Sequence, residues 1–336
     1  MSFYLNSIIT IGAYKFRGVH NVHIKKSIHT PANTCSIKLP ITARLRQNTR
    51  LTTVSMRTAE VFNEGDKVTV ELGYNGIYKQ EFVGFIRRLN FGTPLEIECE
   101  GYIYQLRKRY LEPRSFKNVD YKEIIAYIIA GTDIVLSDSM KQNVTIKVEK
   151  FNVTNDTGAE NLERLNKHLS NVLTMVFHAN VLYVGGAFLD AKTATTATAG
   201  NVKYQMGWNV IKDAGLRLRT PPVDKVNIRF IAVKNDGTKS ITNTSDSGNV
   251  KRIKSRTVTD AASTAYLAKL NELKETYTGY EGKITAFGFP FCEHGYVVQL
   301  TDTRYNERSG NYLCDSVEVK YNRQGFRRIV GIGIKL

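Results

Sequence analysis

Three glutamates at every second position, Glu96, Glu98 and Glu100, alternate with Leu95, Ile97 and Cys99. On a β-strand this spacing lays the carboxylates on one face, where they could hold a hard cation or work as an acid and base pair. The same stripe is also what a solvent-facing strand carries when Arg87 and Arg88 pair with it across the ladder. The second reading is the expectation adopted. His20 and His23 lie three apart on a predicted strand, which puts them on opposite faces, and His29 has no partner at a defined spacing. Cys35, Cys99, Cys292 and Cys314 form neither a CxxC pair nor a Cys and His quartet, and read as small core residues of a reducing compartment. No GxSxG elbow, HExxH, P-loop or GxGxxG after a strand occurs. The chain is therefore expected to be no enzyme, to use no cofactor and to bind no transition metal.

A second candidate lies just beyond the glutamates. YIYQLRKRYLEPR, residues 102–114, interleaves Tyr102, Tyr104 and Tyr110 with Arg107, Lys108 and Arg109. Rings beside cations make a single-strand nucleic-acid surface, although tyrosines at strand spacing also pack barrels and charge runs also form solvated rims. A net charge of +16 favours an anionic partner without choosing among nucleic acid, acidic protein and lipid. An intermediate reading is a basic channel wall that meets DNA through its phosphates alone. Arg87, Arg88, Arg107, Lys108 and Arg109 are the candidates for such a lumen, or for a contact between subunits.

The elements around these residues are mostly strands. Val68, Val70 and Leu72 alternate before Asn75-Gly76, a hairpin turn signal because both residues tolerate positive φ, and EFVGFIRR returns. After Pro113 the texture changes. Asp120 with Glu123, then Thr157 with Glu160, are capping boxes that open short helices, and TMVFHANVLYVGG reads as a hairpin. Strands resume at Val226, Ile228 and Phe230, a helix starts near Asp260, and three apolar runs close the chain. AKTATTATAG, residues 191–200, has no face to bury and reads as an exposed loop. The first fourteen residues carry no basic n-region, and IIAYIIAGTDIVL is short and broken by Asp133, so neither a signal peptide nor a membrane span is expected. The predicted class is mainly β with an α+β middle: residues 1–110 a first β-barrel domain, 111–215 an α+β domain, and 216–336 a second β-barrel domain with an inserted helix.

The closing runs FGFPFCEHGYVVQL, SGNYLCDSVEVKY and QGFRRIVGIGIKL carry Gly295, Gly310, Tyr312, Val317, Gly325 and Phe326 at the strand and turn positions of a recurrent motif series. In this the C-terminal third resembles the phage tail hub family that includes the late control protein D group and the baseplate hubs of Mu-like contractile phages. VTVELGYNGIYKQEFVGFIRRL is similar to that family's first-barrel hairpin, and LERLNKHLSNVLTMVFHANVLYVGG to its middle-domain helix and strand pair. His294 stands where the family often has proline, and the Ala/Thr loop has no counterpart. The resemblance implies a structural protein with two tube-type barrels per chain. It would form a homotrimer whose pseudo-sixfold ring joins a hexameric tail tube protein to a trimeric spike protein. The place implied is a virion tail baseplate assembled in the host bacterial cytoplasm. A hub of a phage-derived injection or type VI-like system, and a β-barrel nucleic-acid-binding module, are the alternatives.

Overall fold

The computed structural model describes residues 4–47, 50–57, 61–138, 140, 145–186, 202–213, 215–220, 222, 224–234 and 236–336, so the Ala/Thr stretch at 191–200 lies outside the described residues. The N-terminal part holds β1 (Leu5–Ile11), β2 (Tyr14–Phe16), β3 (Asn21–Ser27), β4 (Thr30–Leu39), β5 (Thr42–Gln47), β6 (Arg50–Arg57), β7 (Lys67–Tyr74), β8 (Ile77–Asn90) and β9 (Leu95–Glu100). Next come α1 (Ile103–Lys108), β10 (Arg114–Asp120), α2 (Tyr121–Ile129), β11 (Val135–Leu136), β12 (Lys147–Val153), α3 (Gly158–His168), β13 (Thr174–His178) and β14 (Val181–Gly185). Then follow β15 (Val202–Gln205), β16 (Val210–Lys212), β17 (Arg217–Arg219), β18 (Val226–Val233), β19 (Lys239–Asn243), β20 (Asn249–Ser255) and α4 (Ala261–Thr276). The chain ends with β21 (Gly279–Phe287), β22 (Val297–Thr301), β23 (Gly310–Asn322) and β24 (Gly325–Lys335). The mainly-β class with a helical middle is what the structure has.

Local signals act where they were read. Asn75 and Gly76 both take positive φ, 51° and 83°, which matches the right-handed twist of the β7–β8 hairpin they join. Thr157 and Glu160 form the reciprocal capping box that starts α3, and Asp260 caps α4 through the Ser263 amide. Asp120 caps α2 through the Lys122 amide, at the second helical position, and not through the Glu123 amide that the expected capping box would use. The YIYQLRK segment departs from expectation: it is the helix α1, with Tyr102, Ile103, Tyr104 and Leu106 buried and Arg107 and Lys108 at its exposed end.

The strand pairing joins what the sequence separated. One 14-stranded sheet runs β16-β21-β24-β23-β3-β4-β9-β8-β7-β1-β2, with β15, β17 and β22 branching from it. Its two halves meet where β23 pairs antiparallel with β3, from Ser316 opposite Ser27 to Asn322 opposite Asn21. The two β regions are thus one continuous sheet and not two separately closed barrels. Alternation along it, with Val22 and Ile24 opposite Tyr321 and Val319, puts the apolar residues on one face, and a single core holds residues from both ends, from Ile9 to Ile332. Each such buried Ile or Val contributes about 1.5–3 kcal/mol.

A second core packs α2 and α3 with Phe116, Phe151, Phe177 and Leu182. It also takes Ile228 and Phe230 of β18 and Leu267 and Leu270 of α4. These come from a separate three-stranded sheet, β19-β18-β20, and the helix laid on it. Residues 202–205 and 210–212, by contrast, pair with β22 and β21 in the large sheet. By core, the second half of the chain is interleaved: it enters the large sheet, leaves for the second core, and returns.

Candidate functional site

The seam between the two halves gathers charged side chains. On its outer face Glu318 of β23 collects hydrogen-bond and ion-pair partners. His23 Nε2 of β3 lies 2.7 Å from Oε1, Lys320 Nζ 3.1 Å from it, and Lys283 Nζ 4.0 Å from Oε2. Burial alone would raise the Glu318 carboxyl, but the bonds from His23 and Lys320 outweigh it and hold the group below the usual carboxylate range. A depressed carboxylate pKa supplies stability above the unfolded value of about 4.3, and that stability is lost as pH falls through the folded value. Unfolding midpoints measured between about pH 5 and 3 should therefore fall less steeply for Glu318→Gln than for the native chain. Equal slopes would mean that this carboxylate does not hold the seam.

Beneath the seam lies a buried ion pair. Arg328 sits on the apolar parity of β24, where its guanidinium is 1% exposed and its Nη2 is 2.5 Å from Oε1 of Glu81 on β8, also 1% exposed. Nε donates to Gly288 O and Nη1 to Cys292 O, both at 3.0 Å. Burial pushes the Glu81 carboxyl up against the pull of Arg328, while Glu81 pushes the guanidinium further up than burial lowers it. We read the pair as ionised, because the guanidinium keeps its charge and has only Glu81 within ion-pair reach among the described residues.

The motif residues lie in the closing strands and their turns. Tyr312 is fully buried and donates through its hydroxyl to Arg308 O, and Val317 is buried in the large core. Phe326 packs in an aromatic group with Tyr74, Phe289 and Tyr321. Gly325, at φ 135°, turns β23 into β24. Gly295 donates its amide to Cys314 O in the turn before β22, and Gly310 begins β23 opposite Leu300.

The glutamate stripe divides. Glu98 bonds Arg87 at 3.0 Å and Asn90 at 2.9 Å, and Glu96 accepts from Ser36 at 2.7 Å, which is the cross-strand pairing expected of an outer face. Arg88 stands opposite Glu98 in register and is exposed. Glu100 departs from this: its side chain is only 2% exposed, it meets Arg107 Nε at 3.1 Å, and burial raises its carboxyl. The departure arises because α1 folds back over the end of β9. The tyrosines of that segment are equally committed. Tyr104 stacks on Phe85 with centroids 5.6 Å apart, Tyr102 meets the same ring edge-on at 5.3 Å, and only Tyr110 is exposed. Lys108 lies 5.5 Å over the Tyr104 ring, and Arg109 is half-buried beside Gly131. The basic residues therefore share one region but are not interleaved with free ring faces.

One cluster escaped the sequence reading. His178, at the end of β13, reaches the turn before β22, where its Nε2 lies 2.9 Å from His294 O and the two rings cross at 87°. His294 Nδ1 is 3.2 Å from Glu293 Oε2, and Lys26 bonds Oε1 of the same carboxylate. His178 and His294 are 116 positions apart, so no spacing rule could join them.

No family model matches the chain, and no curated protein matches it in sequence. Solved structures do. A tail protein from Neisseria meningitidis MC58 superposes with a TM-score of 0.67 at 13% identity, covering 98% of this chain and 96% of that one. The 43 kDa tail protein of prophage MuSo2 from Shewanella oneidensis gives 0.63 at 13%, covering 98% of both chains. An E. coli type VI secretion system component, described as structurally similar to T4 tail proteins gp27 and gp5, gives 0.57 at 10% over 98% of this chain and 76% of its own. The fold is thus that of phage tail proteins and of a type VI relative. Within that class the likeness runs the length of the chain.

Proposed function

We propose that this chain is a structural hub of a contractile tail, trimerising into a ring that joins a tail tube to a central spike. The observation that carries the reading is the fusion of two β halves into one sheet through the β3–β23 ladder, in a fold shared end to end with phage tail proteins. A chain that presents two joined sheet halves brings six to a threefold ring, which is what a sixfold tube and a threefold spike require of their adaptor. We divide the chain by core: the described residues of 5–100 apart from Phe85, with 202–219 and 279–336, form the tube-like body, and 102–184 with 226–270 the second. The work is done by contact surfaces, so no turnover is expected. Among the described residues no helix is long and apolar enough to cross a membrane. The mass of the species formed on co-expression with a spike protein encoded beside it tests the proposal.

The rival nucleic-acid module loses its stacking platform, because Tyr102 and Tyr104 are spent on Phe85. In the hub reading Arg87, Arg88 and Lys108 face a lumen or a neighbouring chain, while Arg107 holds buried Glu100 and belongs to the fold. Replacing Arg87, Arg88 and Lys108 together with glutamine should leave the unfolding midpoint within about 1 kcal/mol of native, since exposed pairs contribute little. Assembly or DNA passage should weaken. A base-sequence preference for oligonucleotides that vanishes in the triple variant would overturn this assignment.

A further inference from the structure

The His178, Glu293 and His294 cluster has an organisation that the hub reading does not use. Each residue offers one ligand atom, and the three lie within 4.8 Å of one another. The polar partners sort the ring nitrogens. His294 Nδ1 faces Glu293 Oε2, which as a carboxylate only accepts, so Nδ1 carries the proton and Nε2 keeps its lone pair. That Nε2 is buried with no hydrogen-bond partner. His178 Nε2 faces the His294 carbonyl, another pure acceptor, so its Nδ1 likewise keeps a lone pair. Both imidazoles are held by an oxygen on one nitrogen and carry a lone pair on the other. Metal-ligating histidines are oriented in this way, by a carboxylate or backbone carbonyl behind them.

We propose that His178 and His294 form a binding site for a divalent transition metal of the imidazole-preferring class, Zn2+ being the probe of choice, with Glu293 as the positioning residue behind His294. Glu293 cannot itself be a free ligand, since Lys26 holds Oε1 and His294 holds Oε2. Lys26 neutralises the carboxylate and fixes it from β3, leaving its second oxygen to aim the imidazole. Metal–nitrogen bonds of about 2.0–2.1 Å place two ligating nitrogens a little over 3 Å apart. Water would complete the coordination on the side of His178, the exposed member of the cluster. The position gives the site a structural consequence: it joins β13, whose residues Met175 and Phe177 pack in the second core, to the 292–296 turn of the large sheet. A bound ion would staple one body to the other.

The test uses the full-length chain, free of any affinity tag and stripped with a chelator, titrated with ZnCl2 by calorimetry near neutral pH while thermal unfolding is followed. One Zn2+ per chain and an unfolding midpoint that rises with zinc concentration are expected. His178→Ala, at an exposed position, should keep the fold and weaken binding at least about tenfold. His20→Ala, exposed and remote in sequence, should bind as the native chain does. Absence of zinc uptake overturns the proposal, as does uptake unchanged in His178→Ala.

Discussion

Arg328→Met should be among the most damaging single changes in this chain, costing about 3–5 kcal/mol measured from denaturant midpoints. The guanidinium satisfies three partners at once, the Glu81 carboxylate and the carbonyls of Gly288 and Cys292, and removing it leaves all three buried. A buried carboxylate without its cation and two orphaned carbonyls each carry a desolvation cost that the methionine cannot return. Glu81→Gln should cost a comparable amount: it keeps an oxygen for Arg328 Nη2 but leaves a buried guanidinium, which does not lose its charge, without the carboxylate that neutralised it. The double variant should then be closer to Arg328→Met than the sum of the singles, because neutralising Glu81 removes the worst of what the first change exposes. Set against a total stability of about 5–15 kcal/mol, the single loss would take a large share of what holds the chain folded. A cost below about 1 kcal/mol for Arg328→Met would show that the pair contributes nothing to holding β8 against β24.

This pair also marks how far the sequence could be read. The hairpins, the caps of α2, α3 and α4, and the closing meander of β22 to β24 were legible, because each is written within about a dozen neighbouring residues. Arg328 could be placed on the apolar parity of its strand, yet its partner lies 247 positions away and nothing local names it. The same holds for the β3–β23 ladder, 14 strands in one sheet where two barrels were expected, and for His178 with His294. Pairing between strands distant in sequence is decided by burial across the whole chain and leaves only compatible alternation in each partner. The helix α1 was missed for a different reason. Six residues give less than two turns, and Tyr102 and Tyr104 at alternate positions read as a strand until the ring of Phe85 is seen between them. The interleaving of residues 226–276 into the second core was hidden likewise, since Val226, Ile228 and Phe230 alternate as they would in any half-buried strand.

The trimer is the second large expectation, and its argument begins with the ends of the sheet. Within one chain the halves are already joined edge to edge at β3 and β23, so the remaining ends, β2 on one side and β16 with β17 on the other, are where another copy would join. Short edge strands blunt promiscuous pairing, but they do not remove the apolar surface near them. Trp208, Ile211 and Leu218 are 75%, 46% and 65% exposed in and beside β16 and β17, so this end of the sheet carries large apolar side chains that a contact could cover. A head-to-tail contact that buries this end of one chain against the next is heterologous, and closes only if the rotation divides the circle. Three copies, each supplying the N-terminal half and the 279–336 half in alternation, give a ring of six related walls. A ring with one wall per chain would leave half of a sixfold tube's contacts unmatched. Co-expression with the spike protein should therefore yield a species of three chains, and imaging down its axis should show six similar densities. Leu218→Asp, placed at an exposed position, should leave the monomer folded and reduce the trimer at least about tenfold, because a charge at the centre of a packed contact costs upwards of about 1.4 kcal/mol. A dilute monomer without the spike does not decide the case, since assembly depends on concentration. A stable dimer, a trimer indifferent to Leu218→Asp, or a ring whose alternate walls do not overlay would sink the reading.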